Sequence, residues 1–407
     1  MPLALLALAI SAFGIGTTEF VMMGLLPQVA QDLGTSVPSA GHLVSAYAIG
    51  VVIGAPLLTS LGTRIPRKRM LVALMGLFTL GNLGSALAPG FETLLIGRVL
   101  SGLPHGAFFG LGAVVASRLV REERRARAVA TMFLGLTVAN IVGVPAATAL
   151  GQQLGWRATF LVVTAIGLLS MGALTLLVPQ LPAEPRGGLG REVRALGNPQ
   201  VVMGLLTAVL GFGGVFAVYS YLASMVTEVT GLSDGSVTWV LALFGIGMTL
   251  GALAAGPLTD RALRGTLCGS LGALAVLLVA FHFTVHHRPL ALVTITLLGA
   301  FGFMTTTPLQ MLVMRAAQHA PTLASASNHS AFNLANAGGA WLGGAAIAAG
   351  WGWTSPTLVG ACLALLGLLL ALLSGWQERR SAPTASRVVA RGEERSSDVN
   401  ERAEYAG

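Results

Sequence analysis

The chain has 407 residues, of which 54% are hydrophobic and only 10% charged, with a formal net charge of +8. A soluble protein carries about 25% charged residues, so this composition excludes a water-facing globular surface. The positive balance does not point to nucleic acid, because the Lys and Arg residues fall in short loops with no aromatic residues between them.

The first apolar run, 3–26, has no basic residue before it and is too long for the apolar core of a signal peptide. It reads as a first transmembrane helix. Further apolar runs, each long enough to cross a bilayer as a helix, follow at 40–61, 70–88, 93–116, 127–150 and 158–178. After a polar loop come 200–224, 237–258, 266–285, 289–312, 323–349 and 355–376. The fold class is therefore an all-α polytopic membrane protein with twelve spans.

Loop parity orients these spans. Basic residues cluster after span two (Arg64, Arg67, Lys68, Arg69), after span four (Arg118, Arg121, Arg124, Arg125, Arg127), in the central loop, after spans eight and ten, and in the tail. Only Arg157 and Arg288 fall on the opposite side, and Arg98 lies within a span. The positive-inside rule places both termini in the cytoplasm. The tail, from Gln377, holds six acids and six bases and little that is apolar, and is expected to be disordered.

The two halves are related. "GAPLLTSLGTR" (54–64) and "GALAAGPLTDR" (251–261) align at an offset of 197, and the same offset lays Gly155-Trp156 on Gly352-Trp353. This is the mark of a six-plus-six duplication. The expected organisation is a six-helix bundle over 1–180, a cytoplasmic loop over 181–199, a second bundle over 200–376 and a tail over 377–407.

Charge inside a span is costly, about 2.5–3.5 kcal/mol at the centre on insertion scales. Glu19, in "GIGTTEFVMMG", is the only acid well within a span, and Arg98 is its basic counterpart. Counted from the outer ends of spans one and four, the two lie at similar depths of about 9–10 Å. The pair is expected to interact directly or through water. Two roles stay open: a proton-exchanging or substrate-binding group, and a static ion pair pinning two helices. His105 shares the helix face of Arg98 about 10 Å deeper, where it serves as a proton relay or as a packing residue. Span eleven presents His329, Asn333 and Asn336 on one face, and Asn140 takes the related place in span five. Interhelical hydrogen bonding is the plainer role for these, substrate contact the other. Met22 and Met23 flank Glu19 and offer either an adaptable drug surface or packing. Gly339 and Gly343 with Ala335 form a small-residue ridge suited to close helix contact, and Gly143 and Pro145 weaken span five locally.

These features resemble the major facilitator superfamily over about 1–376. Its loop signature reads roughly G-x-L-x-D-R-x-G-R-K. The second half keeps Gly256, Leu258, Asp260 and Arg261; the first half keeps Arg64, Arg67 and Lys68 but has Thr63 for the acid and Pro66 for a glycine. "LLIGRVLSGLPHGAFFG" resembles the motif in which a membrane arginine, here Arg98, serves proton coupling. "GLTVANIVGVPAATALGQQLGW" resembles the antiporter motif, with Gly135, Gly143, Pro145 and Gly151 fitting and Val144 interrupting the Gly-Pro pair. "GLLPQVAQDLG" and "SAYAIGVVIGAPLLT" look similar to arabinose-efflux-like exporters and actinobacterial chloramphenicol resistance proteins. The resemblance implies a major facilitator fold with a cavity lined by spans one, four, seven and ten. It implies proton-coupled efflux of small amphiphilic drugs, phenicols foremost, across a bacterial cell membrane. No cofactor is implied beyond the proton gradient, and the partners are a small-molecule drug, protons and the lipid bilayer around a monomer. Export of a sugar, nucleoside or other metabolite is the alternative.

An enzyme is poorly supported. "GLSDG" (231–235) matches G-x-S-x-G but falls in an outer loop without the strand–turn–helix setting of a nucleophile elbow, and no H-E-x-x-H occurs. Cys268 and Cys362 lie far apart at apolar segments and indicate neither metal nor disulfide. A sensor would need an output domain, which a tail of this length does not supply.

Overall fold

The structure is a computed structural model that describes residues 3–62, 65–121, 124–180, 197–317 and 321–381. Among these residues every regular element is a helix. Spans one to four are Leu3–Asp32, Val37–Leu61, Arg67–Ala86 and Phe91–Arg118. Span five runs through Arg125–Val138, Ala139–Gly143 and Val144–Leu154, and span six is Trp156–Leu177. Span seven joins Pro199–Tyr219 to Leu222–Glu228. Spans eight and nine share Asp234–Thr284, and span ten joins Arg288–Met304 to Thr306–Ala316. Pro321–Ala348 and Ser355–Ser381 are spans eleven and twelve.

Ten of these helices are long and apolar enough to cross a membrane by length and composition. The longest, with 51 residues, would measure about 77 Å if straight, more than twice a hydrocarbon core of about 30 Å. It breaks at Ala262, whose φ of −154° and ψ of 76° leave helical geometry, and so supplies two spans. Pro321–Ala348 stands outside the ten; Asn328, His329, Asn333 and Asn336 dilute its apolar face.

Two sequence expectations need adjustment. Span twelve does not end at 376 but stays helical to Ser381. Glu378 accepts hydrogen bonds from Arg264 Nε at 3.0 Å and Nη2 at 2.5 Å, which ties this last turn to the loop between spans eight and nine. The rest of the tail and central-loop residues 181–196 lie outside the described residues. Span five is the second case. It neither runs straight nor simply bends, but forms a π turn at Ala139–Gly143. Pro145 has no N–H and its ring crowds the carbonyl four residues back. The ladder slips by one residue, and the Val144 N–H bonds to the Ala139 carbonyl.

The motif glycines of span five set its distance from span one. A Cβ at Gly135 would strike the carbonyl of Ala9, one at Gly143 would meet Thr17, and one at Gly151 would meet Leu25. The register advances by eight residues on both helices, so the two run parallel in close contact. Gly245 likewise brings span eight onto the Asn140 carbonyl in the π turn.

The apolar core shows how the halves are joined. One cluster combines Phe20, Met22, Leu25 and Val44 with Phe216, Tyr221, Leu241 and Phe244, so residues of both halves share it. At the end that carries the basic loops the cores separate. Leu8, Met70, Phe108 and Val115 belong to a cluster drawn only from the first six spans, and Leu267, Leu271 and Leu309 to one drawn only from the last six. The halves are fused at the end opposite the basic loops and individually packed at the basic end.

The two arginines that break loop parity are tied at the end opposite the basic loops. Arg157 pairs with Asp32 at 2.5 Å, donates to the Ala88 carbonyl at 3.1 Å and lies 4.1 Å over the Trp156 ring. Arg288 donates to the Gly231 carbonyl at 2.8 Å, inside the "GLSDG" segment, which forms a loop and the start of a helix rather than a nucleophile elbow.

Candidate functional site

The site is built where spans one, two and four cross. Span four approaches span two closely because Gly102 has no Cβ to strike the Tyr47 carbonyl. That contact sets Arg98 and His105, seven residues apart on span four, on either side of the Tyr47 side chain. The guanidinium of Arg98 lies 4.5 Å over the Tyr47 ring, and the Tyr47 hydroxyl is 3.0 Å from His105 Nδ1.

Arg98 is fully buried. It donates from Nη1 to the Thr18 carbonyl at 2.9 Å and to the Thr18 hydroxyl at 3.4 Å, and from Nε to the Leu43 carbonyl at 3.3 Å. Phe160 adds a second ring at 5.9 Å. The Thr18 hydroxyl donates to Asn82 Oδ1, and Asn82 Nδ2 donates to the Phe78 carbonyl. A desolvated cation over a ring gains about 2 kcal/mol, and hydrogen bonds to a charged group contribute about 1.5–3 kcal/mol. Together these offset the cost of a charge inside a span.

Of the two expected modes, direct or through water, the direct pair of Glu19 with Arg98 is not formed: no ion pair within 4.0 Å joins them. Glu19 Oε2 instead stands 4.0 Å from His105 Nδ1. The reason is side-chain direction. In a helix the Cα–Cβ bond tilts towards the N-terminus. Spans one and four are antiparallel, with Thr18 at Arg98 and Leu8 beside Gly112. Glu19 therefore leans towards the basic end and Arg98 towards the opposite end. Two charges that start level diverge, and the carboxylate meets the deeper His105.

Glu19 and His105 are buried but not sealed, at 7% and 6% exposure. Phe109 packs on the His105 ring at 5.0 Å. His329 of span eleven is near enough for its charge to reach His105.

The remaining candidates divide. Asn140 lies in the π turn and Asn333 and Asn336 on span eleven, all buried, each with a side-chain oxygen that has no hydrogen-bond partner. Asn333 Nδ2 donates to the His329 carbonyl at 3.1 Å. Met22 and Met23 are fully buried in the shared outer core and line no open surface. They sit beyond Glu19, where the halves are fused. Gly339 and Gly343 meet the Gly213 and Ala217 carbonyls of span seven, a close helix contact. Asp260 and Arg261 are exposed on the last turn before the Ala262 break. Arg67 and Lys68 open span three, half-buried, and Arg64 lies outside the described residues.

Sequence reasoning missed the tyrosines. The chain has four, and a buried tyrosine in an apolar span needs a partner for its hydroxyl. Tyr47 has His105. Tyr221, at the break in span seven, donates to the Ala340 carbonyl at 2.8 Å and fills the space between Gly41 and Gly344. Beside it Phe20, Phe216, Tyr219 and Phe244 form a chain of ring contacts at 4.1–6.3 Å that plugs the end opposite the basic loops. A low aromatic content concealed this local concentration.

Comparison with known proteins places these features. The family model of the Major Facilitator Superfamily matches residues 8–340 and 225–400. The inner membrane transport protein YdhP of Escherichia coli (strain K12) is 47% identical over 382 residues, covering 94% of this chain and 98% of that protein. A chloramphenicol resistance protein of Streptomyces lividans is 33% identical over 376 residues, covering 91% and 96%. Among solved structures, the crystal structure of a D-xylose-proton symporter superposes with a TM-score of 0.74 at 18% identity, over 90% of this chain and 96% of that one. That likeness is one of fold.

Proposed function

We infer the function from one premise: the chain belongs to the major facilitator superfamily. It is a multi-pass inner-membrane transporter of small molecules. Within that class we propose proton-coupled export of small amphiphilic drugs by alternating access, phenicols being the leading cargo and both termini cytoplasmic. The protein works as a monomer and draws on the proton gradient without a cofactor.

The observation that carries this reading is Glu19. It is a carboxyl at 7% exposure with a histidine at 4.0 Å and no ion pair to the nearby arginine. Such a group is poised between a neutral form favoured by burial and an ionised form favoured by Arg98. It releases a proton when water reaches it from one side and regains one from the other. Phenicols are favoured because a relative that covers nearly the whole chain is named for chloramphenicol resistance. With the basic end cytoplasmic, the halves are fused outside and separately packed inside, an arrangement suited to loading cargo from the cytoplasm.

Metabolite export is the second reading. The unpartnered side-chain oxygens of Asn140, Asn333 and Asn336 would suit a cargo with several hydrogen-bond donors. A drug-susceptibility panel in a pump-deficient host separates the two. Phenicol resistance that vanishes in Glu19→Gln at equal protein level supports drug–proton antiport. Absence of resistance to every drug in the panel supports metabolite export.

A further inference from the structure

Tyr47 of span two touches both Arg98 and His105 of span four. Its ring carries the Arg98 guanidinium at 4.5 Å and its hydroxyl lies 3.0 Å from His105 Nδ1. That same nitrogen is the atom of His105 that faces Glu19 Oε2, at 4.0 Å. In neutral imidazole one ring nitrogen carries the proton and the other accepts, and the partner at one nitrogen decides which.

We propose that Tyr47 is a positioning residue: its hydroxyl donates to His105 Nδ1, holds the proton of the neutral ring on Nε2, and so leaves Nδ1 as the basic nitrogen that faces Glu19. The step balances simply. The Tyr47 hydroxyl turns about its C–O bond and frees the single Nδ1 lone pair, the carboxylic O–H of Glu19 breaks, Nδ1–H forms, and a carboxylate and an imidazolium result, with the Tyr47 oxygen placed to accept from Nδ1–H; the return step reverses these. Closing the 4.0 Å gap to a hydrogen-bond distance of about 2.6–3.2 Å requires a shift of about 1 Å. Tyr47 is rigid enough to serve because Arg98 lies on its ring and its backbone is pressed against Gly102.

The groups that bear on this nitrogen come from every packed element. Glu19 faces it from span one, Tyr47 from span two, Arg98 and Phe109 lie on its own helix, and His329 acts from span eleven. Tyr47 carries the hydroxyl that can be deleted without altering charge.

The proposal rests on Glu19 as a proton-exchanging group, and two measurements on the full chain keep the two claims apart. The first is nitrogen-15 NMR of histidine-labelled protein in lipid nanodiscs, with His105 assigned by its loss in His105→Asn. Wild type is expected to show an unprotonated Nδ1, and Tyr47→Phe, which keeps the ring for Arg98, a mixture of tautomers. A protonated Nδ1 in the wild-type neutral ring, or no change in Tyr47→Phe, overturns the proposal. The second is chloramphenicol-driven proton movement in proteoliposomes across pH. Tyr47→Phe is expected to shift the midpoint by about 0.5–1 unit, the effect of one hydrogen bond on a titrating group, and to shift nothing in a His105→Asn background. An equal shift in that background shows that Tyr47 acts elsewhere and overturns the proposal. If wild type moves no protons, the reading of Glu19 fails, while the NMR result still decides the role of Tyr47.

Discussion

The guanidinium of Arg98 donates to the main-chain oxygen of Thr18 at 2.9 Å rather than to the carboxylate of the next residue, Glu19. A membrane arginine held through Nε and Nη1 by carbonyls and by a ring, with Nη2 left without a hydrogen-bond partner, leaves the deep carboxyl of Glu19 without a fixed countercharge. That separation divides the pair: Arg98 holds spans one, two and four together, and in the proposed mechanism Glu19 is left to exchange a proton.

Arg98→Lys should therefore cost stability even though charge is conserved. A lysine ammonium on one flexible stem cannot reproduce the fork that reaches both Thr18 and Leu43. Losing one charge-assisted bond predicts a loss of about 1.5–3 kcal/mol, read as a lower melting midpoint in detergent. An unchanged midpoint would remove Arg98 from the structural role assigned to it.

Gly135→Ala tests the span one–span five contact. The added methyl would collide with the Ala9 carbonyl, which is backbone and cannot rotate away. Overpacking of this kind costs about 1–3 kcal/mol. Gly84→Ala is the control, since nothing lies within 4 Å of its added carbon. The account expects Gly135→Ala to lower the yield of folded protein and Gly84→Ala to leave it unchanged or raise it. Equal behaviour of the two would show that the contact is not tight.

Much of the architecture was legible because it rests on sums over many residues. Hydropathy over about 20 positions and the sorting of arginines by loop gave the spans without any tertiary knowledge. The polar face of span eleven was visible for the same periodic reason. The site was less legible because it depends on direction. Counting residues placed Glu19 and Arg98 level, but the opposite tilt of side chains on antiparallel helices carried them apart. Met22 and Met23 looked available beside a charge, yet the fusion of the halves at that depth buries them. Tyr47 and Tyr221 owe their partners to contacts 58 and 119 residues away, which no local pattern encodes.

Tyr221→Phe should loosen the outer closure. It removes the hydroxyl bond to Ala340 across the break in span seven but keeps the ring. Loss of about 1 kcal/mol moves a two-state equilibrium about fivefold towards an outward-open form. Spin labels at Ser36→Cys and Ser233→Cys, with both native cysteines replaced, should report a longer distance in the mutant. A distribution identical to that of the unmutated parent would show that the hydroxyl does not latch the outer end.

The central claim is that Glu19 carries the coupled proton. Its most direct test is proton movement across proteoliposomes, followed with an enclosed pH dye, when a chloramphenicol gradient is imposed. Wild type should move protons against the drug, and Glu19→Gln, at matched protein content and with the fold intact, should move none. Proton movement in Glu19→Gln equal to that of wild type would contradict the account.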